Sequence, residues 1–152
     1  MSWLFDLLAA RLLQTRGVVR APIWLYRHRL GWLLGQRMLM VEHVGRKSGL
    51  ARFVCLEVVE RSGSDVVVVA SGFGPHAQWY QNLKAHPACR VSIGNRVAVP
   101  ARARMMSDEE ADATIARYQQ RHPVAWQRLR GAIERAVQHP VDGLPMVELL
   151  LA

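Results

Sequence analysis

Residues 37–60 read Arg37-Met38-Leu39-Met40-Val41-Glu42-His43-Val44, then Gly45-Arg46-Lys47-Ser48-Gly49-Leu50, then Ala51-Arg52-Phe53-Val54-Cys55-Leu56-Glu57-Val58-Val59-Glu60. The flanks are short, largely apolar runs, and the middle is a turn with a glycine at each end. This pattern predicts a β-hairpin with strands over 37–44 and 51–60. Outward from it the pattern repeats. Ser62-Gly63-Ser64-Asp65 is a second turn, and Asp65-Val66-Val67-Val68-Val69-Ala70 is too short and too β-branched for a helix, so it predicts a buried strand. Val91-Ser92-Ile93 and the stretch 96–105 flank Gly94-Asn95, a pair that supplies the positive φ of a tight hairpin turn. Val97, Val99, Ala101 and Ala103 alternate with positions that include Arg102 and Arg104, as in a half-buried strand. Residues 144–151 predict a last strand. About six strands with short, mostly antiparallel connections exclude a doubly wound parallel sheet, which needs helical crossovers. The expected class is mainly β with peripheral helices (α+β), folded as a small closed or half-open β-barrel.

Helices are expected around this barrel. Trp3, Leu4, Leu7, Leu8 and Leu12 recur at helical spacing within 3–13. Pro22 opens a second segment in which Trp24, Tyr26 and Trp32 interleave with Arg27 and Arg29. Residues 77–86 predict a short helix that ends before Pro87. At Ser107-Asp108-Glu109-Glu110 the serine can cap a helix while Glu110 reaches back, and three acids face the positive helix end. That helix is expected to run to about His122. Pro123 opens the next, with Trp126, Leu129, Ile133, Ala136 and Val137 on one face, followed by a loop over 139–143. The N-terminal helical segment, 1–35, has two readings: helices folded onto the barrel, or a basic-aromatic segment lying on an anionic membrane surface.

The chain has 152 residues, which fits a single domain, 1–152, that needs no staple. Two cysteines, Cys55 and Cys89, exclude a disulfide-stapled secreted fold and point to a reducing compartment. The longest run without a charge, 66–83, carries Gly72, Gly74, Pro75, His76, Gln78, Gln81 and Asn82 and cannot cross a membrane as a helix. No signal peptide is legible, so the expected location is cytoplasmic, with peripheral contact at the inner membrane face for the second reading of 1–35. The net charge is +8, with 51% hydrophobic residues. Residues 1–56 hold nine basic and two acidic residues, net +7, whereas 57–152 hold eleven basic and ten acidic, net +1. Such asymmetry predicts a polyanionic partner for the first third: a phosphate-bearing ligand, an anionic membrane or nucleic acid.

Nucleotide-loop, metalloprotease, CxxC and nucleophile-elbow templates are missing, and the histidines show no metal-ligand spacing, so no metal is expected. Cys55, in a strand, reads as core. Two stretches carry chemistry. The turn 45–49 with Arg52 presents backbone N–H groups and cationic heads together, which suits phosphate or carboxylate oxygens. In 70–83 a buried strand enters a glycine-rich loop and then a helix start, where Trp79 and Tyr80 offer planar surface.

The turn Gly45–Gly49, the strand end Ala70-Ser71-Gly72-Phe73-Gly74, and Trp79-Tyr80-Gln81-Asn82-Leu83-Lys84-Ala85-His86-Pro87, at this spacing, resemble the deazaflavin-dependent nitroreductase family. The resemblance covers about residues 37–106 closely and the C-terminal helices and strand more loosely. It implies a split β-barrel of the flavin-reductase or FMN-binding type. It also implies binding of coenzyme F420, an 8-hydroxy-5-deazaflavin with a phosphate and a polyglutamate tail, with FMN as the alternative. By that resemblance Arg46, Lys47, Ser48 and Arg52 hold the phosphate and tail. Ala70, Ser71, Gly72 and Phe73 line the ring, Trp79, Tyr80, Asn82 and Leu83 complete the wall, and residues 53–57 run alongside.

The implied activity is hydride transfer between the deazaflavin and a small or lipophilic acceptor such as a quinone; the alternatives are a non-catalytic F420-binding or storage protein and, last, a nucleic-acid binder. No nucleic acid partner is expected, because basic-aromatic interleaving on the strands and a helix-turn-helix pattern are missing. Ser71, His76, Tyr80 and Tyr118 are the proton-donor candidates. His122 and Trp126 fall where nitro-reducing relatives place tyrosines, and so form the expected substrate pocket, favouring a flat apolar substrate. The oligomeric state and physiological substrate are left open by the sequence.

Overall fold

A computed structural model describes residues 23–35, 37–71, 74–137 and 144–152. Six strands, β1 (Met38–Val44), β2 (Ala51–Ser62), β3 (Val66–Ala70), β4 (Ala88–Ile93), β5 (Arg96–Met105) and β6 (Met146–Leu151), close a barrel in the order β1-β2-β3-β6-β5-β4. Every neighbouring pair is antiparallel. Among the described residues, α1 (Gln78–Ala85), α2 (Asp108–Arg121) and α3 (Pro123–Val137) accompany them. The hairpin, the valine strand and the last strand fall where the residue pattern places them. β2 runs two residues past the expected end, and β4 starts three residues earlier than Val91. The expected helix over 3–13 and the loop over 139–143 lie outside the described residues.

Strand alternation fills the interior. Leu39, Val41, Val67, Val69, Val91, Val147 and Leu149 are fully buried, each worth about 1.5–3 kcal/mol on leaving water. Arg102 and Arg104 alternate outward to solvent as their positions in β5 require. A bulge between Val58 and Glu60 shifts the register of β2 against β3. It changes which residues point outward: Phe53 and Cys55 before it pack against the 23–35 segment, and Glu60 after it meets α2.

Each outer layer is tied by identifiable contacts. Residues 23–27 are helical, and the Tyr26 hydroxyl donates to the Met38 carbonyl at 2.8 Å beneath them. Arg27 lies 5.1 Å from the centroid of the Phe53 ring. The described part of the N-terminal segment thus rests on the barrel through Tyr26, while Trp24 and Leu33 face solvent. Helix α2 starts with the expected capping box: Ser107 Oγ accepts from Glu110 N–H at 3.2 Å, and Glu110 Oε1 accepts from Ser107 N–H at 3.1 Å. Its Arg117 pairs with Glu60 at 2.7 Å, and Ala111 and Ile115 cover Val68 and Met146.

The feature that positions the site is the 12-residue length of β2. Residues 51–57 pair with β1, whereas β3 begins to pair only at Val58. Over Ala51–Glu57 no strand among the described residues lies along the second edge of β2. On the same half, the inward side chains Val54 and Leu56 are only half-buried, unlike their fully buried counterparts on β1, β3, β4 and β6. Among the described residues the interior is therefore least covered along this half of β2, an opening in the strand layer.

Candidate functional site

Helix α1 closes the end of the barrel where the GRKSG turn lies. Leu83, fully buried, enters the interior, while Trp79 and Tyr80 pack half-exposed against the same cluster as Val54, Leu56 and Val58. The two rings meet edge to face, with centroids 6.0 Å apart. Both rings add apolar surface to the cluster that the half-buried inward side chains of β2 also join.

The turn is built by its own backbone. Gly49 N–H donates to Gly45 O at 2.8 Å, Gly45 N–H donates to Leu50 O at 2.9 Å, and Leu50 N–H donates to Ser48 Oγ at 3.2 Å. Gly49 has φ +71°, a left-handed value that side chains with a Cβ resist. Lys47 and Ser48 are exposed. Arg52, opposite His43 in the β1–β2 register, is also exposed, so the turn carries its cations on one end of the hairpin.

A polar chain ties this turn to α1. Asn82 is 5% exposed, and its Oδ1 accepts from the Arg46 N–H at 3.1 Å and from Arg46 Nη1 at 2.8 Å. Arg46 Nη1 also donates to Gln78 Oε1 at 3.0 Å. The Asn82 amide nitrogen lies 3.1 Å from His43 Nδ1. His43 follows Leu39 and Val41 on the inward face of β1 and is 4% exposed. Burial first, and then the charge of Arg52, pull its pKa down to about 4, so the ring is neutral at pH 7.

The glycine-rich loop leaves β3 at Ala70. Ser71 is fully buried and donates its N–H to Pro145 O at 2.9 Å. Gly72 and Phe73 lie outside the described residues. A short 3₁₀ turn at Gly74–His76 follows, held to α1 by Gln81 Nε2 donating to the Pro75 carbonyl, and His76 is exposed. Helix α1 begins at Ala77 without a side-chain cap.

Several expected roles change once burial is known. Leu83 is core, not wall, because α1 drives it into the barrel. Asn82 spends its carbonyl on Arg46, which makes it the support of the turn. Trp126 is 9% exposed in a cluster with Val68, Ile115 and Met146, edge to face with Tyr118 at 6.3 Å, so its ring packs in the layer between α2 and β3. His122 is exposed and tilts against Tyr118 at 5.2 Å. Ala70 and Tyr118 both pack on that same cluster. Cys55 and Cys89 are buried free thiols with their pKa values pushed up by burial, to about 12 and about 11.

His43 is the residue that reading histidines one at a time misses. Its signal is strand parity, which places position 43 inward with 39 and 41. Among the described residues no group of His, Cys, Asp and Glu could hold a metal ion, and no helix is long and apolar enough to cross a membrane.

Comparison with known proteins agrees with this geometry. The barrel resembles a structure titled F420-H2 dependent reductase, at 24% identity and TM-score 0.53, over 76% of this chain and 95% of that chain. It also resembles a putative pyridoxamine 5'-phosphate oxidase from Listeria innocua, at 10% identity and TM-score 0.53, over 84% of this chain and 93% of that one. A pyridoxamine 5'-phosphate oxidase-related, FMN-binding protein from Nostoc punctiforme matches at 16% identity and TM-score 0.51, over 91% and 81%. These likenesses establish the split-barrel fold. A search of curated protein sequences finds no match. The model of the F420H2-dependent quinone reductase family matches residues 18–138, which include the turn, the open half of β2, the glycine-rich loop and α1, and the chain belongs to that family.

Proposed function

We propose that this protein binds coenzyme F420 in the opening along β2 and passes a hydride from its reduced form to a flat, lipophilic acceptor of the quinone class. The observation that supports this most is the juxtaposition of a pre-built cationic turn with a half-buried apolar wall. A ligand with an anionic tail and a planar ring needs those two surfaces side by side. The residues fit the group. Arg46 is held by two neutral amide oxygens, so its charge stays available to an anion. Lys47 and Arg52 add charge, and the uncapped start of α1 favours a nearby anion. Val54, Leu56, Trp79 and Tyr80 supply the ring surface and exclude water from it.

Bound there, the reduced deazaflavin supplies the hydride, and the protein contributes binding, orientation and a dry wall. Ser71 is fully buried and His76 is exposed, so neither is placed as well as the half-buried tyrosines to hand on a proton. Tyr80 packs on the same cluster as Val54 and Leu56, and we assign it the proton-delivering role, with Tyr118 as the second candidate.

Titration with F420 and with FMN, followed by tryptophan quenching, tests the reading. F420 should bind in the micromolar range and more tightly than FMN. Arg46→Ala with Lys47→Ala should cost about 1.5–3 kcal/mol per charge-assisted hydrogen bond lost. Oxidation of F420H2 with menadione should follow. FMN binding as tight as F420 overturns the cofactor assignment, and F420 binding without menadione turnover would make the protein a carrier.

A further inference from the structure

A histidine at an inward barrel position requires a physical reason, since a polar ring is costly beside Leu39 and Val41. The reason lies in its partner. Asn82 Oδ1 takes two hydrogen bonds from Arg46, one from the main chain and one from the guanidinium, and both of those groups can only donate. The carbonyl of the Asn82 amide must therefore face Arg46, which turns its NH₂ toward His43 Nδ1 at 3.1 Å. His43 Nδ1 then accepts, and the ring proton sits on Nε2. If Nδ1 carried a proton, the NH₂ would meet a donor, and a flipped amide would set its NH₂ against both Arg46 donors. The Arg46 donors thus set the amide orientation, and the Nε2–H tautomer of the buried ring is the one that accepts from the amide's NH₂ and so supports that orientation.

We infer that His43 is a positioning residue that acts through Asn82 to hold Arg46 in the arrangement that receives the cofactor's anionic portion. The inference rests on the proposed function, and it deepens that reading by adding a determinant of cofactor affinity that never touches the cofactor. His43 sets how well the turn is organised before binding; the hydride step is untouched once the site is filled.

The test uses His43→Phe, which keeps a buried ring and removes the acceptor, and His43→Asn, whose Oδ1 can stand where Nδ1 stood. His43→Phe should raise the F420 dissociation constant about tenfold, the factor expected for one lost hydrogen bond, and His43→Asn should restore it to within about twofold of wild type. Turnover at saturating F420H2 should be unchanged in both. In the Arg46→Ala background His43→Phe should have a smaller effect on affinity, since Asn82 Oδ1 then holds only the main-chain N–H of position 46 and no guanidinium. Long-range proton–nitrogen NMR of the ligand-free protein should show Nδ1 unprotonated and Nε2 protonated. Unchanged affinity in His43→Phe, an equal loss with Arg46 already removed, or a protonated Nδ1 overturns the inference. Failure of wild type to bind F420 overturns the proposed function instead, while the NMR spectrum still judges the His43–Asn82 contact by itself.

Discussion

Mild acid should destabilise this protein through a single buried ring. His43 has a pKa of about 4 in the folded state against 6.5 for a free histidine. Between those values the unfolded chain holds a proton that the folded chain refuses, so stability falls as pH drops from 6.5 and this contribution levels off below 4. The ring is 4% exposed, so solvent does little to weaken the effect. Integrating the two titrations from about pH 7.5 to about pH 5 gives a loss of about 2 kcal/mol, out of a total near 3 kcal/mol at lower pH. The acid pairs do not mask this window. Arg117 holds Glu60 below its ordinary value, and Arg104 with the Ser107 cap holds Glu110 at about 2, so both remain ionised in the folded state at such pH.

Urea unfolding at about pH 7.5 and about pH 5 measures the loss, which should lower the midpoint by roughly 1 M for a chain of this size. His43→Phe has no group to titrate and should lose about 2 kcal/mol less over the same interval. The same pH dependence in both proteins would show that the acid sensitivity arises elsewhere and that His43 is not held neutral by its surroundings.

Other outcomes follow from the covering segment. A Cβ on Gly31 would lie 2.2 Å from Tyr26 Cδ1, and the rigid ring is anchored by its hydroxyl to Met38. Gly31→Ala should cost about 2 kcal/mol, lower Tm by roughly 4–8 °C in calorimetry and speed thiol labelling of Cys55 beneath Tyr26; an unchanged Tm would refute the close packing. Trp24 and Leu33 are 54% and 58% exposed beside exposed Arg27 and Arg29, so the full chain should co-sediment with phosphatidylserine vesicles at low salt and release at high salt. Trp24→Ala with Leu33→Ala should reduce that binding, and no sedimentation at low salt would end the membrane reading.

Local chemistry was legible in the residues themselves. The hairpin over 37–60 and the capping box at Ser107 need only contacts within a few positions, and the alternation in β5 needs only one buried face, which holds from Val99 to Arg104 while Val97, expected inward, is exposed. The turn and its exposed charge were legible too, because glycine, arginine, lysine and serine act there through their own backbone and charge. A small barrel was legible, but the strand order that closes it was not, since β6 finds β3 and β5 across long stretches of chain, and nothing local to residues 146–151 names those partners. The same holds for burial. Leu83 and Trp126 looked like site residues and became packing once α1 entered the barrel end and α2 covered β3. His43 looked like one histidine among six, yet strand parity turned it inward to meet Asn82, 39 positions along the chain. Hydrogen-bond direction at such a distance is set by which donors and acceptors the tertiary fold brings together, and that is why the support of the turn belongs to the structure alone.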